Sequence, residues 1–309
     1  MSYLIWRLHR NQMYFAGLAV VVLAVVLGVT GLVMIGDYHH ALATCATTAS
    51  CATLSETLFQ GDGLIINVVN LSVVAPVLLG LSWGAPLVAK EVDEGTHVLA
   101  WTQSVTRRRW MGTNLAAALL AAAVWGALLA LLVSWWRIPE NALFGRFAAF
   151  DVQGVVPVAY SVFAVALGIA VGAWLRRPLP ALATTLGVLV AVRAVIGLYL
   201  RPHYLAPVRA LAPLVTNVSG APANAWLLTK DLVDASGHVV DTTASSFPPA
   251  ACPGTDLVSC LNGLGYRRLV TYQPDSRYWT FQAVETGLFL ALAALLAVLA
   301  YRAVVTRDA

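Results

Sequence analysis

Hydrophobic residues occur along this chain in long runs that contain almost no charged side chain. A helix needs about 20 consecutive apolar residues to cross a bilayer core of about 30 Å. Six runs reach this length, and they predict membrane-spanning helices over about 15–35, 64–88, 111–135, 155–175, 179–200 and 281–303. The pattern therefore predicts an all-α integral membrane protein, with a single transmembrane domain over residues 1–309.

The composition supports this prediction and excludes other classes. Hydrophobic residues make up 59% of the 309 residues and charged residues only 11%, whereas soluble domains average about 45–50% and about 25%. Disordered, collagenous and coiled-coil chains do not have this composition. The net charge of +4 does not indicate nucleic-acid binding, because the basic residues lie between the apolar runs, where they set membrane topology.

The distribution of arginine predicts the orientation of the helices. With the amino terminus inside, most basic residues of the short loops fall in the cytoplasm, as the positive-inside rule requires. Both termini and the loop 89–110 are then cytoplasmic, and segments 36–63 and 201–280 are extracytoplasmic. The first apolar run is longer than the core of a signal peptide, which has about 7–15 residues. We therefore expect an uncleaved, multi-pass protein of the plasma (inner) membrane.

The amino-terminal stretch SYLIWRLHRNQ mixes apolar residues with arginine and histidine. This pattern is typical of an amphipathic helix lying on the inner membrane surface, which we include in the predicted fold. A plain basic flank of the first span is the alternative.

The four cysteines all lie in segments predicted to be extracytoplasmic, where disulfides persist. Four cysteines allow three pairings. The short-range pairs Cys45–Cys51 and Cys252–Cys260 are preferred, and the second of them would clip the segment 201–280. Four free thiols are the alternative.

The sequence contains no recognisable catalytic or nucleotide-binding motif. The only lysines are Lys90 and Lys230, and neither follows glycine, so the phosphate-binding loop GxxxxGK[ST] is missing. The adjacent His39 and His40 point in different directions on a regular element, so they form a poor chelate, and no metal site is expected. This chain is thus predicted not to be an enzyme and to bind no cofactor itself.

Two ionisable residues lie well inside the predicted spans, Arg193 in the fifth and Glu285 in the sixth. Such groups are costly at mid-bilayer, by about 2.5–3.5 kcal/mol on insertion scales. Both lie roughly 10 Å from the outer end of their helices, at about 1.5 Å of rise per residue. They either line a translocation path or form a structural ion pair.

Small residues recur at four-residue spacing in the second and fourth spans, as Gly80-x-x-x-Gly84 and Gly168-x-x-x-Gly172. This spacing allows two membrane helices to approach closely. It is common in membrane helices and says little about function.

The loop 89–110 is the most informative stretch of the chain. Its acidic start and its three arginines flank the apolar segment HVLAWTQSV. Arginines at the start of a helix oppose the helix dipole, so anionic lipid headgroups or an acidic partner surface must compensate them. The apolar segment indicates docking on another protein.

This loop resembles that of the membrane subunits of ABC-2 type transporters. The match covers Lys90-Glu91-x-x-Glu94-Gly95-Thr96 and the stretch from Leu99 to Arg107. The stretches FDVQGVVPVAY (150–160), LRRPLPALA (175–183) and LRPHY (200–204) also resemble these permeases. The resemblance is weakest over 217–275.

The resemblance implies that the loop is a coupling helix seated in a groove of an ATPase subunit. The residues expected to make this contact are Glu91, Glu94, Gly95, Thr96, Leu99, Trp101, Arg107 and Arg108. It also implies two separate ABC ATPase subunits that bind ATP and magnesium, and a second permease copy or paralogue. The function expected is a permease of an ATP-driven exporter. A membrane-embedded enzyme acting on lipid or peptide, or an ion-coupled carrier, is the alternative.

Overall fold

The computed structural model describes residues 2–44, 69–70, 72–87, 106–214, 220–222, 224–241, 249, 252 and 257–306. Residues 2–20, 41, 44, 107 and 143 are described by their backbone alone. The segment 45–68, most of the predicted coupling loop and the cysteines Cys45 and Cys51 lie outside these ranges.

Eight main helices and three strands follow one another along the described chain, with short 3-10 or π-helical turns between some of them. The helices are α1 (Ser2–Thr44), α2 (Ser72–Leu87), α3 (Arg107–Trp136), α4 (Ile138–Phe144), α5 (Val156–Leu175), α6 (Pro178–Val195), α7 (Leu257–Gly263) and α8 (Tyr278–Thr306). The strands are β1 (Val208–Ala212), β2 (Trp226–Val233) and β3 (Arg267–Gln273).

Five helical stretches of the described chain are long and apolar enough to cross a membrane. They are Val21–His40, Arg108–Trp136, Val156–Leu175, Pro178–His203 and Asp275–Thr306. Each coincides with a predicted span. At the predicted second span the described residues form the shorter apolar helix Ser72–Leu87, so a sixth span stays a prediction.

The first helix runs without a break from Ser2 to Thr44. The stretch predicted to lie on the membrane surface is therefore continuous in its backbone with the first span. A helix in the interface would have to bend away from the span, and no kink-inducing proline occurs between Ser2 and Thr44.

The chain divides into two compact units where the sequence predicts a single domain. The first comprises Met1–Pro139, Ala149–Ile196 and Gln282–Ala309, and the second Glu140–Ala148 and Gly197–Phe281. The division falls within continuous helical stretches, so the apolar pattern along the chain does not reveal it.

The core of the first unit is built around α5, which packs against α2, α3 and α6. Pro157 opens α5, in the first turn of a helix where its missing N–H costs nothing. Nearly all residues of α5 from Val156 to Ala173 are buried, polar Ser161 included. Because other segments of the first unit surround α5, its apolar residues are buried on every side of the helix.

Glycines bring α2 and α5 into backbone contact. A Cβ atom added to Gly168 would lie 2.6 Å from both the Gly80 oxygen and the Ala85 nitrogen, and one added to Gly84 would lie 2.7 Å from the Val165 oxygen. Two of these glycines also lie in a π-helical turn, Gly80–Gly84. The close approach expected from the small-residue spacing is confirmed.

The second unit contains an antiparallel sheet in the order β1-β3-β2. In the register, Val208 of β1 lies opposite Tyr272, Trp226 of β2 opposite Gln273, and β2 has an irregularity between Leu227 and Thr229. The all-α prediction therefore describes the membrane-spanning helices but is wrong for the segment 201–280. Prolines in that segment obscured the short strands.

Candidate functional site

Arg193 of α6 is held by two groups of the first unit. Its Nη2 lies 3.2 Å from Oδ1 of Asp151, a residue in the segment that precedes α5. Its guanidinium carbon lies 3.6 Å from the centroid of the Tyr160 ring. A cation over an aromatic face gains electrostatic energy, most where water is excluded. Asp151 and Tyr160 thus offset the cost of placing a guanidinium inside a membrane helix.

Glu285 of α8 reaches the same cluster through Tyr160. The Glu285 side chain is 1% exposed, and the Tyr160 hydroxyl hydrogen-bonds to its Oε1. The same hydroxyl lies 2.9 Å from Oδ1 of Asp151. The structure therefore places the two predicted residues in one cluster. Arg193 forms an ion pair with Asp151, and Tyr160 lies between the carboxylates of Asp151 and Glu285. Whether Arg193 and Glu285 are energetically coupled stays a prediction.

Gln282, one turn before Glu285 on α8, completes the polar layer. Its oxygen accepts hydrogen bonds from the backbone nitrogens of Val155 and Val156, both at 2.9 Å. Its nitrogen donates to the carbonyls of Phe150 at 3.1 Å and Gln153 at 3.3 Å. The amide thereby makes all four of its hydrogen bonds. Because Val155 has no capping side chain, a side chain from another helix caps α5.

Sequence reasoning missed Asp151, Tyr160 and Gln282 as members of this cluster. Asp151 falls just before the predicted fourth span, and a tyrosine or glutamine within a span is not unusual. The sequence contained a signal for two of these residues, since Asp151 and Tyr160 both lie in FDVQGVVPVAY, a stretch that resembles ABC-2 permeases.

Most of the predicted coupling residues cannot be placed. Glu91, Glu94, Gly95, Thr96, Leu99 and Trp101 lie outside the described residues. Arg107 and Arg108 form the first turn of α3, where Thr106 caps the helix by accepting a hydrogen bond from the Arg109 nitrogen at 3.4 Å. The predicted coupling loop thus ends directly on a membrane-spanning helix.

The second unit has its own ion pair and aromatic cluster. Arg146 donates to both carboxylate oxygens of Asp275, with its Nε 3.2 Å from Oδ1. This hydrogen-bonded partner raises the pKa of Arg146 above its ordinary value. Phe147 stacks on Trp226, with 5.5 Å between ring centroids, and meets Phe281 edge to face. These contacts hold the short segment 140–148 to the strands within one unit.

A pocket with a volume of about 560 Å³ lies on one face of the sheet. Side chains from all three strands line it, including Arg209, Thr229, Asp231, Leu269 and Thr271. It is open to solvent and mixes apolar with charged groups.

Cys252 and Cys260 are joined in a disulfide whose Cα atoms are 5.8 Å apart. This is one of the two pairings that the sequence favours. The bridge packs with Leu214 and Leu261 in a small core of the second unit. Among the described residues, no group of three or more histidine, cysteine or acidic side chains could hold a metal ion.

A comparison with protein families matches residues 17–201 to the family described as ABC-2 membrane transporter related. This range contains five of the predicted spans, the predicted coupling loop and three of the four charged or phenolic members of the polar cluster. Comparisons with curated proteins and with solved structures gave no match.

Proposed function

The chain belongs to the ABC-2 membrane transporter related family, and from this we propose that it is the permease subunit of an ATP-driven exporter whose ATPase is a separate polypeptide. The observation that carries the proposal is the family match over 17–201, which covers more than half of the chain. Five apolar helices of spanning length support a multi-pass membrane protein. Members of this family work with ABC ATPase subunits.

The division of labour in the proposed complex follows from what the sequence contains. ATP and magnesium are bound by the partner ATPase, because this chain has no phosphate-binding loop. Two ATPase subunits and a second permease, either another copy or a paralogue, complete the complex. The chain itself has no catalytic residue and supplies the membrane path.

Coupling runs through the loop 89–110. In the proposed mechanism Glu91, Glu94, Arg107 and Arg108 provide charged contacts to the ATPase, and Trp101 inserts as an apolar anchor. Because α3 begins at Arg107 and packs against α5, a displacement of the loop acts directly on the core of the first unit. Closure of the ATPase dimer would switch the membrane path between its two access states.

The proposed complex resides in the plasma (inner) membrane with both termini in the cytoplasm. The arginine bias of the loops supports this orientation. It places the sheet-containing segment 201–280 and the disulfide on the oxidising side of the membrane.

Reconstitution of the complex tests the proposal. The chain is co-expressed with candidate ABC ATPases from the same genome, and we expect one of them to co-purify with it. ATP hydrolysis in lipid vesicles should differ with and without this subunit, and an ATPase variant that lacks the lysine of its phosphate-binding loop should abolish it. Export is expected as movement of cargo into inverted membrane vesicles only when ATP is added.

The alternatives make different predictions in the same experiment. An ion-coupled carrier would transport in response to an ion gradient without any ATPase, and a membrane-embedded enzyme would convert lipid or peptide in vesicles that contain this chain alone. Either result, together with failure to bind the ATPase, would refute the permease assignment.

A further inference from the structure

The pocket on the sheet of the second unit has a polar floor that crosses all three strands. In the register Arg209 of β1 lies opposite Thr271 of β3, and Thr271 lies opposite Thr229 of β2. Asp231 lies two residues further along β2 and shares this face, because successive side chains of a strand alternate between faces. All four residues line the pocket. The pairing of the strands therefore assembles this surface from three separate segments.

The bulge in β2 adds an apolar side chain to the same pocket. The register shifts between Leu227 and Thr229, so Leu228 is the extra residue of the bulge. A bulge re-aims a side chain, and bulges are frequent next to functional sites. Leu228 lines the pocket together with Leu269 and Val239. The pocket thus offers apolar contacts beside its polar floor.

The two faces of the sheet have different surroundings. On the face opposite the pocket, Leu232 packs against the small core around the disulfide residue Cys252, and Val270 is fully buried. On the pocket face, the side chains of Arg209 and Thr229 are exposed. The core of the second unit is therefore built on one face, and the polar face is not needed for it.

Opposite charges stand at the two edges of the pocket. β1 and β2 flank β3, so Arg209 and Asp231 lie on different edge strands. Two strand spacings and one step of two residues separate their Cα atoms by about 12 Å. Asp231 accepts a hydrogen bond from the Thr229 hydroxyl at 3.1 Å. Within the described residues neither Arg209 nor Asp231 forms an ion pair, so both charges can meet a ligand.

Two further polar groups face this pocket. Thr271 is only 8% exposed, and its hydroxyl makes no hydrogen bond to another described residue. At the rim, Nδ1 of His203 lies 2.8 Å from the carbonyl oxygen of Tyr199. Because a carbonyl oxygen only accepts, Nδ1 carries the proton of this contact, and Nε2 is left for a ligand.

We propose that this pocket binds a short peptide with free termini, whose carboxylate contacts Arg209 and whose ammonium group contacts Asp231. A guanidinium binds a carboxylate in bidentate fashion, and hydrogen bonds between charged groups are the strong ones. Three extended residues span about 10 Å, which matches the spacing of the two edges. The Thr271 hydroxyl bonds to the peptide backbone, and Leu228 and Leu269 contact its side chains.

Size and charge exclude simpler ligands. The volume of about 560 Å³ lies within the range of about 300–1,000 Å³ that is usual for small-molecule sites. A simple anion leaves Asp231 unused, and a simple cation leaves Arg209 unused. In a free amino acid a single carbon atom joins the two charged groups, so it cannot reach both edges. The inference goes beyond the proposed function, because binding in the second unit requires no ATPase.

Binding of trialanine to the full chain in lipid nanodiscs tests the proposal, and isothermal titration calorimetry measures it. We expect trialanine to bind. The N-acetylated and the C-amidated peptides should each bind on the order of tenfold more weakly, since each loses one hydrogen bond between charged groups. Free alanine should also bind more weakly than trialanine, because it engages only one of the two charges.

Variants assign each terminus to its partner. Arg209→Met should bind free and C-amidated trialanine equally, and Asp231→Asn should bind free and N-acetylated trialanine equally. Lys230→Met is the matched control, because Lys230 neighbours Asp231 in the sequence but lies on the opposite face of β2. It should bind trialanine like the wild-type chain.

Two results with the wild-type chain would overturn the proposal, and neither depends on the folding of a variant. One is failure of trialanine to bind, and the other is equal binding of the free and the blocked peptides. Undiminished binding of trialanine to both Arg209→Met and Asp231→Asn would overturn it as well.

Discussion

The side-chain oxygen of Gln282 lies 2.9 Å from the backbone nitrogen of Val156 and accepts its hydrogen bond. The two residues belong to α8 and α5, far apart in sequence. At the start of a helix the first N–H groups have no partner within the helix, and in a membrane water cannot replace one. Gln282 therefore fixes the position of α8 against the first turn of α5.

Replacing Gln282 should destabilise the first unit. Gln282→Leu removes both acceptor contacts and both donor contacts, and each buried polar group left unpaired costs about 1–3 kcal/mol. Gln282→Glu keeps the acceptor oxygens and loses the donors to Phe150 and Gln153, so we expect a smaller loss. Thermal unfolding of the purified chain in nanodiscs measures both. Thr280→Ala on the exposed side of α8 is the control, and an equal effect there would contradict the capping role.

Arg193 and Asp151 should be energetically coupled. In a double-mutant cycle with Arg193→Met and Asp151→Asn, contacting residues show coupling of about 0.5–3 kcal/mol. Arg193 and Glu285 should couple as well, but less, because Tyr160 lies between the carboxylates. Unfolding of the single and double variants gives both values. Strictly additive effects in both cycles would mean that the cluster is not energetically connected.

Gly168→Ala should push α2 away from α5. Its Cβ atom would lie 2.6 Å from backbone atoms of Gly80 and Ala85, and overpacking of this kind costs about 1–3 kcal/mol. Gly187→Ala in α6 is the matched control, because its Cβ atom would meet nothing within 4 Å. We expect a lower unfolding temperature for the first variant and an unchanged or slightly higher one for the second. Equal behaviour would contradict the close backbone contact.

Cys252 and Cys260 should be linked in protein taken from the native membrane. Alkylation without reduction, followed by mass analysis of peptides, should find no label on either residue. The same measurement tests the predicted pair Cys45–Cys51, which lies outside the described residues. Free thiols at all four positions would refute the pairing and weaken the assignment of these segments to the oxidising side.

Trp101→Ala should uncouple or loosen the ATPase. Truncating an aromatic anchor at an interface hot spot costs about 2 kcal/mol or more, which corresponds to roughly 30-fold weaker binding. The variant should still insert in the membrane, since the change lies outside the predicted spans. Co-purification and hydrolysis assays measure the effect. If Trp101→Ala and Glu94→Ala both keep full ATPase association and stimulation, the coupling assignment is wrong.

The strands of the second unit show where sequence reasoning failed. β1 is the five-residue stretch VRALA, too short and too apolar to be distinguished from a membrane-associated segment. A strand becomes stable only by pairing with its neighbours, and β1 pairs with β3 across an intervening helix and strand. Nothing local to either segment specifies that pairing.

The membrane-spanning helices could be predicted from the sequence because each of them depends on the composition of a single segment. A run of apolar residues must satisfy its backbone within itself, so length and composition alone predict a helix. The close approach of α2 and α5 could be predicted for a similar reason, since small residues permit close approach whichever helix is the partner. The family resemblance, which the match over 17–201 confirms, led to the proposed function through motifs that lie within single segments.

Only the tertiary structure determines which residues form the polar cluster and how they pair. The sequence analysis identified Arg193 and Glu285 as costly charges at similar depth in their predicted spans, and it predicted from this depth that they form an ion pair or line a path. The rotation of each helix about its axis determines which groups actually meet, and this rotation is fixed by packing around α5. Packing placed Asp151 beside Arg193 and Tyr160 between the carboxylates, because a buried charge is stable only where neighbouring elements supply its partners.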